Sequence, residues 1–166
     1  MKVIKNKAVE ITLRNESANI VLGDIKKSKL LETKDAISRI LVYWGLDEMT
    51  RLSSILKFNK NLPSPIERDY KWTGIYTPFS HQKVTSEFLT INTKAFCFNE
   101  AGTGKTSSVL WAADYLMNEK KIKRVLIICP LSIMYSAWQG DIFNTCMHRT
   151  SAVCHGPSHK RKKIIE

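Results

Sequence analysis

The stretch from Ala95 to Asn118 most narrows what this chain can fold into. A short apolar run, Ala95 to Phe98, enters Asn99-Glu100-Ala101-Gly102-Thr103-Gly104-Lys105-Thr106, after which Val109, Leu110, Ala113, Leu116 and Met117 recur at helical spacing. A buried strand, a loop of small residues and a helix, in that order, predict a strand-loop-helix unit. The loop carries its own chemistry. Gly102 and Gly104 let the backbone wrap so that successive N–H groups point at one anion, and Lys105 adds a cation that reaches its outer phosphates. Thr106 offers a hydroxyl to Mg²⁺, and the helix it opens turns a positive dipole end toward the same place. The pattern G-x-x-x-x-G-K-[ST] asks for Gly where this chain has Asn99. The string is therefore a partial match, and its setting between strand and helix is what supports it. The plain alternative is a Gly-Thr-Gly turn with an incidental lysine.

From about residue 76 the apolar pattern alternates between the two periods. It predicts strands at 95–98, 125–129 and 152–154, and helices at 105–118 and 132–143, with a further helix opening near His159. Such succession implies a parallel sheet with crossover helices and a ligand at the carboxyl ends of the strands. The expected class is α/β, an incomplete parallel-sheet P-loop domain over 76–166. Before it, residues 1–62 read as a small α+β accessory domain. Val9, Ile11 and Leu13 alternate as a strand, a polar turn covers Asn15 to Ser17, and Asn19 to Leu22 returns to complete a hairpin. Ile37, Ile40, Leu41 and Trp44 lie at helical spacing ahead of Gly45, and Met49, Leu52, Ile55 and Leu56 suggest a second helix. Asn61-Leu62-Pro63-Ser64-Pro65 begins a linker over 63–75. The helix that opens near His159 and stops at Glu166 is what a truncated chain would show.

The apolar share of 43% and the charged share of 25% are those of an ordinary globular protein. The formal charge of +11 is less ordinary and points to a polyanionic partner, nucleic acid above all, with solubilising surface charge as the bland reading. No run of about 18 apolar residues occurs and the N-terminus has no signal-peptide block, so no membrane span and an intracellular, cytoplasmic location are expected. Cys97 and Cys129 fall in or beside predicted strands, as reduced core thiols do. Cys146, His148, Cys154, His155 and His159 fit no common zinc-ligand spacing.

Three elements now stand in order: Pro78-Phe79-Ser80-His81-Gln82, the Gly102 to Thr106 loop, and Leu126-Ile127-Ile128-Cys129-Pro130-Leu131-Ser132 with Trp138 six residues on. Together they resemble the Q-type motif, motif I and motif Ia of superfamily 2 helicases. The third is most similar to the Swi/Snf-type branch, and phage-encoded members in particular. The resemblance covers about residues 76–156 and implies a RecA-like fold that binds ATP and Mg²⁺. Residue by residue, it implies that Gln82 reads the adenine edge and Phe79 packs the base. Glu100, Ala101, Gly102, Thr103, Gly104 and Ser107 then form the phosphate cradle with Lys105 and Thr106, the last two being the catalytic pair and Thr106 the magnesium ligand. Asn99 stands where the family often has Asp or Gly, whereas Glu100 matches its usual acidic position. Pro130, Leu131 and Ser132 correspond to the nucleic-acid contact. Ser132 also suits an N-cap, and Trp138, beside Ile133, Ala137, Ile142 and Phe143, suits a core position better than a stacking platform.

Two parts that the family needs do not follow the loop. An acidic pair at a strand end, required to hold Mg²⁺ and orient water, is missing after Thr106; Asp47-Glu48 lies upstream and reads as a solvated helix N-terminus. The second RecA-like half is also missing. The expectation is the ATP-binding part of a DNA helicase or translocase, inactive alone, whose partners are double-stranded DNA, ATP and a remaining motor domain in the parent protein. In a phage-encoded protein the compartment would be the bacterial host cytoplasm. The alternative is a stand-alone nucleic-acid-binding module with a vestigial loop. A small P-loop kinase is a third reading, disfavoured by Gln82 and Pro130-Leu131-Ser132. Basic residues near the N-terminus, among them Lys2, Lys26 and Lys27, allow a DNA-contacting role or a scaffold, and Lys160 to Lys163 read as a solvated helix face.

Overall fold

A computed structural model describes residues 1–57 and 62–165. The fold is mixed α/β. β1 (Lys2–Ile4), β2 (Ala8–Arg14), β3 (Ser28–Lys34) and β4 (Ile37–Tyr43) form one antiparallel sheet in the order β1-β2-β4-β3. α1 (Asn15–Asp24) connects β2 to β3, and α2 (Leu46–Leu56) follows β4. β1 turns into β2 through Lys5 and Asn6, both at positive φ (49° and 53°), with the Lys7 N–H on the Ile4 carbonyl. This is the turn handedness that matches strand twist.

In β2 the period-2 pattern is realised as expected: Val9, Ile11 and Leu13 are buried, and Val9 and Ile11 lie opposite Val42 and Ile40. On the other face Arg39 bonds Glu10 and Glu32, each at 3.0 Å, so the exposed side of three strands is tied by one guanidinium. Two expectations fail here. Asn19 to Leu22 is not a returning strand but the middle of α1, whose Ala18, Val21 and Leu22 share a helical face with Ile25 beyond its end. Residues 37–44 are not a helix but β4 and its exit. Ile37, Ile40, Leu41 and Trp44 do fall at helical spacing, but Ser38, Ile40, Val42 and Trp44 are the buried set, at strand spacing. Pairing with β2 and β3 on both sides decided between the two patterns.

α2 forms where its pattern predicts. Asp47 and Glu48 occupy its first turn and pair with Lys121 and Lys27, which agrees with a helix N-terminus. Asn61 of the expected linker lies outside the described residues. The rest of that segment is packed: Ser64, Pro65, Ile66 and Tyr70 are buried, α3 (Ile66–Asp69) is a single turn, and the Pro63 carbonyl accepts Trp44 Nε1–H at 2.9 Å.

The chain continues through α4 (Ser80–Ile91), α5 (Lys105–Asn118), a 3₁₀ turn (Leu131–Ile133), a π-helical segment (Met134–Gln139), α6 (Gly140–Cys146) and α7 (Ser158–Ile165). The helix expected at 105–118 is α5. The helix expected at 132–143 is a run that begins as 3₁₀, widens to π and ends as α. Pro130 precedes its first turn and Ser132 sits inside it, so Ser132 is not the N-cap. Trp138 packs partly buried against the core, as expected, whereas Phe143 is exposed.

The three segments expected as parallel strands form no ladder among the described residues. Parallel strands depend on neighbours along both edges and on cover over both faces. Here Phe96, Phe98, Leu126 and Ile128 are 83, 89, 79 and 90% exposed, so neither is supplied. Cys97 and Cys129 are consequently half-buried rather than core thiols. One core nonetheless unites the sheet with α5: Val9, Ile40, Met49 and Ile66 belong to the same buried cluster as Trp111 and Tyr115.

Candidate functional site

The loop before α5 adopts the conformation its glycines permit. Gly102 and Gly104 have φ of 76° and 72°, in the left-handed region that side chains disfavour. At Gly104 crowding adds a second reason: a Cβ there would lie 1.9 Å from Gln82 Nε2. Gly104 occupies the N-cap position of α5, so the helix begins at Lys105 and its free N–H groups open onto the loop.

The side chains around the loop hold it closed. Lys105 Nζ donates to the carbonyls of Asn99 (2.9 Å) and Glu100 (2.7 Å), which bends the cation back over the backbone it follows. The Thr103 hydroxyl donates to the Glu100 carbonyl at 2.8 Å. Outside the loop, the Thr103 carbonyl takes Gln82 Nε2 at 3.3 Å and His81 Nε2 at 3.1 Å, the latter fixing a proton on that ring nitrogen. Gln82 Oε1 accepts the Phe79 N–H at 2.9 Å, so both ends of this buried amide are engaged. Phe79 is exposed and stacks on His81, with centroids 5.7 Å apart and planes 12° from parallel.

Of the predicted site residues, the structure brings Phe79, Gln82 and the loop from Glu100 to Thr106 together at the facing ends of α4 and α5. Ala101 is at the exposed tip, and Thr106 is in the first turn of α5. Ser107 faces the other way, its hydroxyl 3.4 Å from Thr145 Oγ1 on α6. Pro130, Leu131 and Ser132 are exposed and separate from this cluster in the hydrogen-bond network. Asn99, the departure from the glycine pattern, has a use of its own: Nδ2 donates to Thr85 Oγ1 at 2.9 Å and ties the start of the loop to α4. Ser86, the next residue of α4, ties α5 to α4 by donating to the Ser108 carbonyl at 2.9 Å.

Behind the loop helix lies a polar cluster that the sequence reading missed. Asp114 is fully buried on α5 and accepts from Tyr70 Oη (2.7 Å), His148 Nε2 (2.9 Å) and Arg149 Nε (2.5 Å). Burial pushes its carboxyl up, but those three donors outweigh it and leave the group below the ordinary aspartate range. Burial raises the Tyr70 hydroxyl well above its normal value, and pushes the Cys146 thiol up to about 11. Trp111 Nε1 donates to the Thr73 carbonyl at 2.9 Å, while Gly74, at φ +93°, lies so close to α6 that a Cβ would meet the Asn144 carbonyl at 2.2 Å. Asp114 was legible in principle. It stands four residues after Leu110, on the apolar side of a helix, where a carboxylate must find donors.

No family model, curated protein or solved structure matches the chain. No helix among the described residues is long and apolar enough to cross a membrane.

Proposed function

We propose that this chain is the ATP-binding part of a Swi/Snf-like superfamily 2 helicase or translocase, with 76–166 forming part of its first RecA-like motor domain. The observation that carries the reading is the convergence on one loop of three independent features: two left-handed glycines, a lysine held by loop carbonyls, and an amide from Gln82 packed against Gly104. The Gly-Thr-Gly segment is more than a turn in this setting. It lies at the N-terminus of a 14-residue helix, where backbone donors and the helix dipole favour an anion. Lys105 would exchange two carbonyl partners for phosphate oxygens. Thr106 would hold Mg²⁺ carried by the nucleotide, and the exposed Phe79 ring would offer the base an apolar face.

The hydrolytic acids and the opposite cleft wall would come from a remaining motor domain of a longer protein, so the chain alone should bind ATP weakly and turn it over negligibly. In that protein ATP hydrolysis would drive movement on nucleic acid, with duplex DNA as the expected track and Pro130 to Ser132 as one contact. The compartment that goes with this reading is the cytoplasm, that of the bacterial host if the protein is phage-encoded. Titration with a fluorescent ATP analogue in Mg²⁺ tests the reading. A saturable signal that unlabelled ATP displaces, and that Lys105→Ala abolishes, is expected. Duplex binding with no nucleotide signal would support a nucleic-acid module with a vestigial loop instead.

A further inference from the structure

We propose that the end of α5 remote from the nucleotide loop, together with α7, is a docking surface for the phosphodiester backbone of duplex nucleic acid. Past Asn118 the chain reverses with Lys120 in the left-handed region (φ 57°), its N–H on the Met117 carbonyl, and then presents Lys121, Lys123 and Arg124. Arg124 Nη1 donates to the Ile165 carbonyl at 2.8 Å, which sets the last turn of α7 against this basic turn. α7 itself carries the run Lys160-Arg161-Lys162-Lys163, all exposed. On the other side Lys121 Nζ meets Asp47 Oδ1 at 2.6 Å, joining the turn to a groove of about 450 Å³ whose walls include Arg51, Lys57 and Lys94.

Among the described residues three carboxylates temper this surface: Glu119, Asp47, which pairs with Lys121, and Asp24, which pairs with Arg51 in the groove. The excess of positive charge belongs to two segments that are distant in sequence and meet at one hydrogen bond. Its chemistry favours phosphates over the other polyanions. A membrane-surface helix needs an apolar face, and α7 has only Ile164 and Ile165, adjacent and so on no common stripe. Lysines on flexible stems act as point charges without the planar fork that reads a base edge, which suits a repeating backbone charge rather than a sequence.

The surface is separate from the nucleotide loop. The 14 residues of α5 rise about 21 Å from the loop end to the basic end. It therefore rests on the nucleic-acid side of the proposed function and not on ATP.

The test is fluorescence anisotropy of a labelled DNA duplex of about 30 base pairs with the whole chain, over about 50 to 200 mM salt. Log affinity should fall linearly with log salt. Replacing Lys120, Lys123, Lys160 and Lys163 by Gln should weaken binding at the lowest salt by tenfold or more and flatten the slope by about 2–4, near 0.9 for each phosphate left without its cation. Arg at the same four positions should keep both, and the exposed pair Lys160→Gln and Lys163→Gln should by itself flatten the slope by about 2. Lys105→Ala should leave the slope unchanged, so a failure of the ATP reading is told apart from a failure of this one. Glutamine variants that bind like the wild type, or tighter binding to phosphatidylserine vesicles than to the duplex, would overturn the proposal.

Discussion

The sheet half of the molecule and the loop-bearing half have similar apolar sequence and opposite fates. In β2 and β4 every second residue is covered, and all of these but Ser38 are apolar: Val9, Ile40 and Val42 are wholly buried, and each strand is paired on both edges. Around the loop, Phe96, Phe98, Leu126 and Ile128 alternate in the same way and remain exposed. The contrast shows that alternation specifies a strand only together with its neighbours. The sheet half contains its own neighbours within about forty residues, whereas the segments flanking the loop find none among the described residues. What the second half does contain is α5, and through Trp111 and Tyr115 it shares the first half's core. The glycine loop is thus anchored on its helix side and bare on its strand side.

Substitutions at matched positions sharpen that contrast. Trp111→Ala removes the largest fully buried side chain among the described residues and the indole bond to Thr73, and should destabilise by about 3–5 kcal/mol. Urea unfolding should show sheet and helix signals lost in one transition; two separate transitions would break the single-core description. Ile40→Ala, in the sheet, should lower stability by about 2–5 kcal/mol, while Phe98→Ala, similar in chemistry but on the bare side, should change it by less than about 0.5 kcal/mol. Equal effects would remove the distinction between the halves.

Between these extremes lies Asp114→Ala, which strands Tyr70, His148 and Arg149 and should lose about 2–4 kcal/mol. Because the folded carboxyl titrates below its ordinary range, its contribution is complete above about pH 4 and is lost as pH falls through the folded value. Asp114→Asn should therefore flatten the acid limb of the stability curve, and parallel limbs would remove the carboxylate from the account. The smallest effect expected is chemical: Cys146, buried and with its thiol raised to about 11, should react with iodoacetamide well after the half-buried Cys97, Cys129 and Cys154. Mass spectrometry of the modified chain reads the order.

What could be read from the sequence divides along the same line. α5 and its glycine loop were legible because helix spacing and turn chemistry are local signals, and α2 for the same reason. β4 was misread because its apolar residues fit both periods, and only the pairing with β2 and β3 selects between them. α1 was misread although Ala18, Val21, Leu22 and Ile25 stand at helical spacing, because the short apolar run from Ile20 to Leu22 reads more readily as a strand. The candidate residues at the loop were selected by motif. The contacts that hold the loop and its helix were not: His81 on Thr103, Asn99 on Thr85 and the donors around Asp114 on α5 join residues 14 to 44 positions apart. Spacing along a chain carries no sign of them.

The central claim is that Gln82, Phe79 and the loop together make an adenine-nucleotide site, in which the Gln82 amide exchanges its Phe79 and Thr103 partners for the base edge. Competition binding of ATP against GTP, in Mg²⁺, for the wild type and for Gln82→Ala, tests it most directly. The account predicts that the wild type prefers ATP and that Gln82→Ala loses the preference, whether or not overall affinity falls. A wild-type chain that binds the two nucleotides equally, or a Gln82→Ala chain that keeps the full preference, would contradict it.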